Sequence, residues 1–312
     1  MRPGLCLSRV RPIVGLMLAA LTGLALAIAW NPLLLATLAV GLFAGPHNFM
    51  EARYLLGRLP RRAGKLQTYL VVSAVGVLGI GGLSLYLALS HHEHSLQIWA
   101  TLLSLWFGYL CWLRSRENPK RHWPWVEPLA LIAAGWIWLS PVSFAIGLVL
   151  LHPVMAIIIL GRELHFYRRP EQALFPAFVG CVLCGLVVLL LMLTLHPSQA
   201  PEALNNLIVI DGPSLIFLAV HAYLETVHYA IWIVVLPALA QVTRRGRLEV
   251  YPALKRAPAR LWAARGLLAL GAVLSCVLWW GFAIDFEVTR DIYFQVAIFH
   301  VLVEFPFLLR LV

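Results

Sequence analysis

Histidine and glutamate recur four residues apart at three places in otherwise apolar stretches of this chain. The three pairs are His47 and Glu51, His221 and Glu225, and His300 and Glu304. Four residues make about one turn of an α-helix, so the two members of a pair lie on the same helix face. His152 and His228 stand in similar apolar surroundings. Imidazole and carboxylate groups together predict a site for iron, with manganese or zinc as the alternatives.

The candidate residues divide into ligands and supporting groups. One histidine from each of four apolar segments is the predicted metal ligand: His47, His152, His228 and His300. Glu225 and Glu304 are expected to be further ligands or bridges, because Glu-x-x-His, as in Glu225 and His228, is the unit that di-iron bundles use. Glu51 and His221 are expected to orient a ligating imidazole or to carry protons, and with Tyr229 they form the candidate catalytic group. The set predicts one or two metal ions.

The composition determines where such residues must lie. Hydrophobic residues make up 61% of the 312 positions and charged residues only 12%, about half the ~25% of an ordinary soluble domain. This excludes a soluble globular enzyme, a disordered regulator and a coiled coil. The sequence predicts an all-α, polytopic membrane bundle with about ten transmembrane helices in a single domain. Their expected ranges are 13–30, 32–52, 67–90, 95–113, 125–140, 142–162, 171–195, 214–242, 264–284 and 290–311.

The basic residues predict the topology. If the N-terminus is cytoplasmic, all but one of the 24 Lys and Arg residues fall in inner loops, and Arg290 is the exception. Both termini are therefore expected in the cytoplasm, with the chain in the plasma (inner) membrane. The net charge of +10 then indicates contact with anionic lipid headgroups and no nucleic-acid partner. A cleaved signal peptide is the alternative interpretation of the first segment.

The depth of the histidines tests whether they can meet. At ~1.5 Å per residue, His47 lies about 9 Å from Arg53, whereas His228 lies about 24 Å from Arg244. The eighth helix must therefore project past the inner surface or bend at Pro237 to bring His228 level with the others. The histidines of the outer loop, His91, His92 and His94, are expected to matter little.

A family resemblance follows from the turn that contains the first histidine. Gly45, Pro46 and His47 near the inner end of an early helix, with further helical histidines later, are similar to the Brp/Blh family of carotene dioxygenases. The family motif continues with Gly and Asp, where this chain has Asn48 and then Glu51. The resemblance implies an iron-dependent membrane enzyme that cleaves a carotenoid.

The sequence therefore favours a membrane-embedded non-haem metal oxidoreductase, of the dioxygenase or monooxygenase type. Its expected partners are dioxygen and a lipid-soluble molecule, such as a carotenoid or another isoprenoid, that enters from the bilayer. Two other classes remain open. One is a haem protein with two histidines as axial ligands, and the other is a proton- or ion-coupled transporter with a His/Glu relay.

Overall fold

The helical prediction is confirmed by the computed structural model of the chain. The structure describes residues 7–58, 66–90, 93–117, 125–166, 170–195, 212–242 and 258–311, which are almost entirely helical and contain no β-strand. The helices are α1 (Leu7–Trp30), α2 (Pro32–Arg58), α3 (Gln67–Ser90), α4 (Ser95–Glu117), α5 (Val126–Leu139), α6 (Pro141–Phe166), α7 (Phe175–Leu195), α8 (Gly212–Ala230), α9 (Leu236–Val242), α10 (Pro258–Ile284) and α11 (Phe286–Leu311). His91, His92 and most of the basic loop residues lie outside the described ranges.

Nine helices within the described residues are long and apolar enough to cross a membrane. The remaining predicted span, 125–140, corresponds to α5, which has only 14 residues. At ~1.5 Å per residue α5 is about 21 Å long, shorter than the ~30 Å hydrocarbon core of a bilayer. The eighth predicted span is continuous but composite, because a π-helical segment, Ile231–Val235, joins α8 to α9.

Several helices extend beyond their apolar segments. α1 begins at Leu7, α10 at Pro258 and α11 at Phe286, which is four to six residues before the predicted starts at 13, 264 and 290. Backbone hydrogen bonding does not depend on side-chain polarity, so a helix continues past the point where charged residues end its apolar run. The hydropathy pattern thus located the helix centres better than the helix ends.

Single residues separate three consecutive helix pairs, and local chemistry explains two of these breaks. The side-chain oxygens of Asn31 and Asp285 accept hydrogen bonds, each of 3.0 Å, from the backbone N–H groups of Leu34 and Val288. Both are N-caps, which satisfy one of the unpaired donors of the following helix. Pro32 then occupies the first helical position of α2, where its missing N–H costs nothing.

The chain forms two compact units. The first comprises Met1–His47 and Pro153–Leu239, and within it α1 packs along α7 while both contact α8. Tyr223 of α8 donates a 3.0 Å hydrogen bond from its hydroxyl to the carbonyl of Val182 on α7. A Cβ at Gly185 would lie only 2.2 Å from the Tyr223 hydroxyl oxygen, so glycine is what admits this close approach.

The second unit comprises Asn48–His152 and Ala240–Val312, and within it α11 packs against α3, α4 and α10. The hydroxyl of Tyr69 donates a 2.6 Å hydrogen bond to the carbonyl of Pro306, tying α3 to α11. The indole of Trp106 donates to the carbonyl of Val72 at 3.0 Å and occupies the space that a side chain at Gly76 would need. These bonds satisfy polar groups of aromatic residues inside an apolar interior.

Many large hydrophobic side chains are exposed on the described helices. α10 is the extreme case, because none of the residues in its most apolar 18-residue window is buried. Trp262, Leu270 and Trp280 are all more than half exposed on this helix. Apolar surface of this extent is unfavourable in water and matches the hydrocarbon of a bilayer.

Candidate functional site

The predicted site residues are polar groups inside an apolar protein. His47, His228 and Glu304 are fully buried at 0% exposure, and the other buried members are Glu51, His152 and Glu225. His221 and His300 are partly buried. A charged carboxylate or imidazolium costs a few kcal/mol to place in a membrane interior, so these groups need partners that offset the cost.

In the first unit, α2 and α8 bring two of the predicted ligands together. The ring centroids of His47 and His228 are 5.2 Å apart in an edge-to-face arrangement. A ring nitrogen of one lies within 4.8 Å of a ring nitrogen of the other. Two nitrogens at ~2.1 Å from one ion are at most about 4.2 Å apart, so a small ring rotation would allow both to bind it. Glu225 lies one turn before His228 on α8 and is also buried.

Aromatic rings surround this pair. Tyr229 lies against His47 with ring centroids 4.5 Å apart, and Trp232 lies 6.4 Å from His228. Both aromatic side chains are buried. Such contacts fix the positions of the imidazole rings by packing. We call Glu225, His47, His228, Tyr229 and Trp232 the α2/α8 cluster.

The contact between His47 and His228 resolves the depth problem posed by the sequence. The two residues meet although His47 lies six residues from the next basic residue and His228 sixteen, in the eighth predicted span. Its distortion lies just before Pro237, where the N–H of Leu236 donates to the carbonyl of Ile231, five residues earlier. Proline lacks an N–H and its ring clashes with the carbonyl four residues before it, and the wider π turn relieves that conflict.

In the second unit, α6 and α11 bring three predicted site residues together. The Nδ1 atom of His152 lies 2.9 Å from Oε2 of Glu304. The rings of His152 and His300 are 5.3 Å apart, and one nitrogen of each lies within 4.8 Å of the other. Glu304 follows His300 by one turn of α11. We call His152, His300 and Glu304 the α6/α11 cluster.

Glu51 lies one turn after His47 on α2 and is buried. In the second unit Glu51 and His300 line one cavity of about 260 Å³. The ring of Phe217 stacks on the imidazole of His221, with the two ring centroids 6.1 Å apart. A stacked phenyl ring positions His221 by packing, as Tyr229 does for His47.

Glu163 and Asn48 lie inside the protein but were not predicted as site residues from the sequence. Glu163 is buried near the end of α6, with its carboxylate 3.8 Å from the Arg162 guanidinium. The sequence assigned it to an inner loop because Arg162 ended the apolar run. Asn48 lines the cavity that contains Glu51 and His300. Its spacing of three residues from Glu51 was the available signal, because that spacing puts both on one helix face.

Comparison with known proteins finds no matching family model, no matching curated protein and no matching solved structure. The similarity of Gly45, Pro46 and His47 to carotene dioxygenases therefore stays a prediction.

Proposed function

We propose that this protein is a membrane-embedded, metal-dependent oxidoreductase that uses dioxygen and acts on a lipid-soluble substrate. The observation that carries the proposal is the 2.9 Å contact between Glu304 and the Nδ1 atom of His152. In metal sites a carboxylate commonly holds one nitrogen of a histidine while the other nitrogen binds the ion. This contact would direct Nε2 of His152 toward a metal.

Each cluster offers two imidazoles and a glutamate. His152, His300 and Glu304 form one such set, and His47, His228 and Glu225 form the other. Two histidines and one carboxylate with open positions are typical of non-haem iron oxygenases, which supports iron over zinc. A carboxylate has about four acceptor positions, so Oε2 of Glu304 can hold His152 while Oε1 ligates. Bound iron would supply the binding and activation of dioxygen.

The remaining side chains have roles that follow from their positions. Tyr229 and Trp232 exclude water from His47 and His228 because they pack directly on the imidazole rings. Glu51 is placed to hold or move a proton beside the cavity that it shares with His300. The apolar walls of that cavity suit a substrate dissolved in lipid.

We also propose that both termini lie in the cytoplasm and that the membrane is the plasma membrane. Arg53, Arg114 and Arg162 lie in the last turns of α2, α4 and α6, and the other described basic residues except Arg290 are at the corresponding ends of α1, α2, α4, α10 and α11. This distribution supports the topology because Lys and Arg accumulate on the cytoplasmic side, where they contact anionic headgroups.

The test is elemental analysis with an optical spectrum of the detergent-purified protein. We expect one or two iron ions per chain, and loss of bound metal in His228→Ala or His300→Ala with insertion little changed. Neither substitution alters a residue that directs topology. His94→Ala is the matched control, since this histidine is exposed in a turn before α4.

Full retention of metal by both variants would refute the assignment of ligands. A Soret band in the spectrum would instead favour the haem protein, because only a porphyrin gives that absorption. A metal-free protein that catalyses ion-coupled uptake in liposomes would favour the transporter.

A further inference from the structure

The cavity that contains Glu51 and His300 has a regular construction. Residues 48, 51, 52 and 55 of α2 line it, and this spacing makes one continuous helix face. Residues 300, 303 and 307 of α11 form a second face, and Leu267 of α10 forms part of a third wall. Three helices of the second unit therefore shape a single cavity of about 260 Å³.

The lining changes in character along each helix. On α2 the polar residues Asn48 and Glu51 come first, and Leu55 follows one to two turns later. On α11 His300 comes first and Phe307 follows two turns later. The surface exposed to the cavity is nearly all apolar, so a ligand would lie against hydrocarbon, with the polar residues of both helices beside one end of it.

Asn48 supplies the specific polar contact. Its side-chain oxygen is buried and has no hydrogen-bond partner within the described part of the chain. A buried amide oxygen without a partner is unfavourable, so a ligand that donates a hydrogen bond here would be stabilised by it. A hydroxyl group is the donor that an uncharged lipid can bring into an apolar cavity.

The route into the cavity is through lipid. Leu267 lines the cavity and is also 51% exposed on α10, whose most apolar window has no buried residue. The cavity therefore reaches the apolar outer surface of this unit. Its volume lies below the ~300–1,000 Å³ of pockets that enclose a whole drug-sized ligand, so it suits one end of a longer molecule.

We infer that this cavity binds the hydroxyl end of a long, uncharged lipid alcohol. The hydroxyl donates to the Asn48 oxygen, and the adjoining carbon chain lies against Leu55 and Phe307 beside His300. The inference rests on the proposed function where it makes this alcohol the substrate class. Binding itself requires only the cavity.

The test uses the full chain in lipid nanodiscs under argon, where no dioxygen is present for turnover. Tritiated geranylgeraniol is the probe, and its methyl ether, which keeps the chain but cannot donate a hydrogen bond, is the competitor. We expect the alcohol to bind about 3- to 10-fold more tightly than the ether, the value of one net hydrogen bond. Asn48→Leu should remove that preference and still bind the ether, which would show that the cavity is intact.

Two substitutions on α10 supply a matched pair. Leu267→Trp should fill the cavity and weaken both ligands, whereas Leu270→Trp should leave both unchanged. Leu270 is 53% exposed on the same helix and is not among the residues that line this cavity. Because the exposures are so similar, a general effect of tryptophan on the helix would appear in both variants.

Equal affinities for alcohol and ether, an undiminished preference in Asn48→Leu, or equal effects of the two tryptophans would each overturn the inference. Iron analysis of the same samples separates the two proposals. If the protein contains no iron but still prefers the alcohol, the alcohol site stands and the oxidoreductase proposal fails. If the protein contains iron but binds the alcohol and the ether equally, the metal proposal stands and the lipid alcohol fails as the substrate class.

Discussion

In the α6/α11 cluster a carboxylate holds an imidazole at 2.9 Å, whereas in the α2/α8 cluster aromatic rings pack against the imidazoles of His47 and His228. A carboxylate acts through charge and determines which ring nitrogen points toward a metal. An aromatic ring acts through contact area and fixes where the imidazole lies. The two clusters therefore hold similar candidate ligands in different surroundings, which should respond differently to mutation.

The largest difference is expected when the histidine is removed. His152→Ala leaves the fully buried carboxylate of Glu304 without its 2.9 Å partner. Removing the imidazole N–H from a buried carboxylate costs about 3 kcal/mol, whereas His47→Ala should cost about 2 kcal/mol for the lost packing. The free energy of unfolding of the metal-free protein, measured by titration with SDS in mixed micelles, checks both values.

The double variant His152→Ala/Glu304→Leu identifies the cause of this cost. Replacing the carboxylate by an apolar side chain removes the stranded charge, so part of the lost stability should return. If the double variant is no more stable than His152→Ala, the charge of Glu304 is not what makes the α6/α11 cluster sensitive.

The next effect concerns metal affinity. Glu304→Gln keeps the size of the side chain and removes its charge, so we expect the α6/α11 cluster to bind metal about 10- to 100-fold more weakly. Competition with a chelator of known affinity measures this change. Glu287→Gln is the control on the same helix, since Glu287 is exposed in the first turn of α11. An equal loss in both variants would contradict a specific role for Glu304.

The smallest effect is expected in the α2/α8 cluster. Tyr229→Leu removes the aromatic ring that lies 4.5 Å from His47, and such a contact contributes about 0.5–1.5 kcal/mol. Tyr229→Phe keeps the ring and should change the free energy of unfolding little. If the two substitutions destabilise equally, the hydroxyl of Tyr229 matters more than its ring, and the contrast between the clusters weakens.

The positions of the helices could be predicted because hydropathy is a property of consecutive residues. The segment 67–90 has the same bounds in the structure, and a distortion close to Pro237 followed from the properties of proline. The short segment 125–140 was predicted as a crossing, but α5 is shorter than the bilayer core. Only its packing neighbours can decide whether such a helix spans the membrane.

The candidate site was predictable only in part. The spacing of His300 and Glu304 placed both on one face of a helix. It could not predict which residue of another helix Glu304 would contact. The carboxylate lies against His152, which is 152 residues away in the chain. Asn48 was missed because an amide does not stand out among charged residues, although it lines the same cavity as Glu51.

The sequence by itself determined that this chain is helical, apolar enough for a membrane and supplied with histidines and glutamates inside its helices. These properties depend on residue type and on spacing within one turn, which are local. The tertiary structure alone decided that His152 meets Glu304, that His47 meets His228, and that Asn48 lines a cavity. Each of these depends on the rotation and depth of separate helices, and long-range contacts such as that of Tyr69 with Pro306 hold them there.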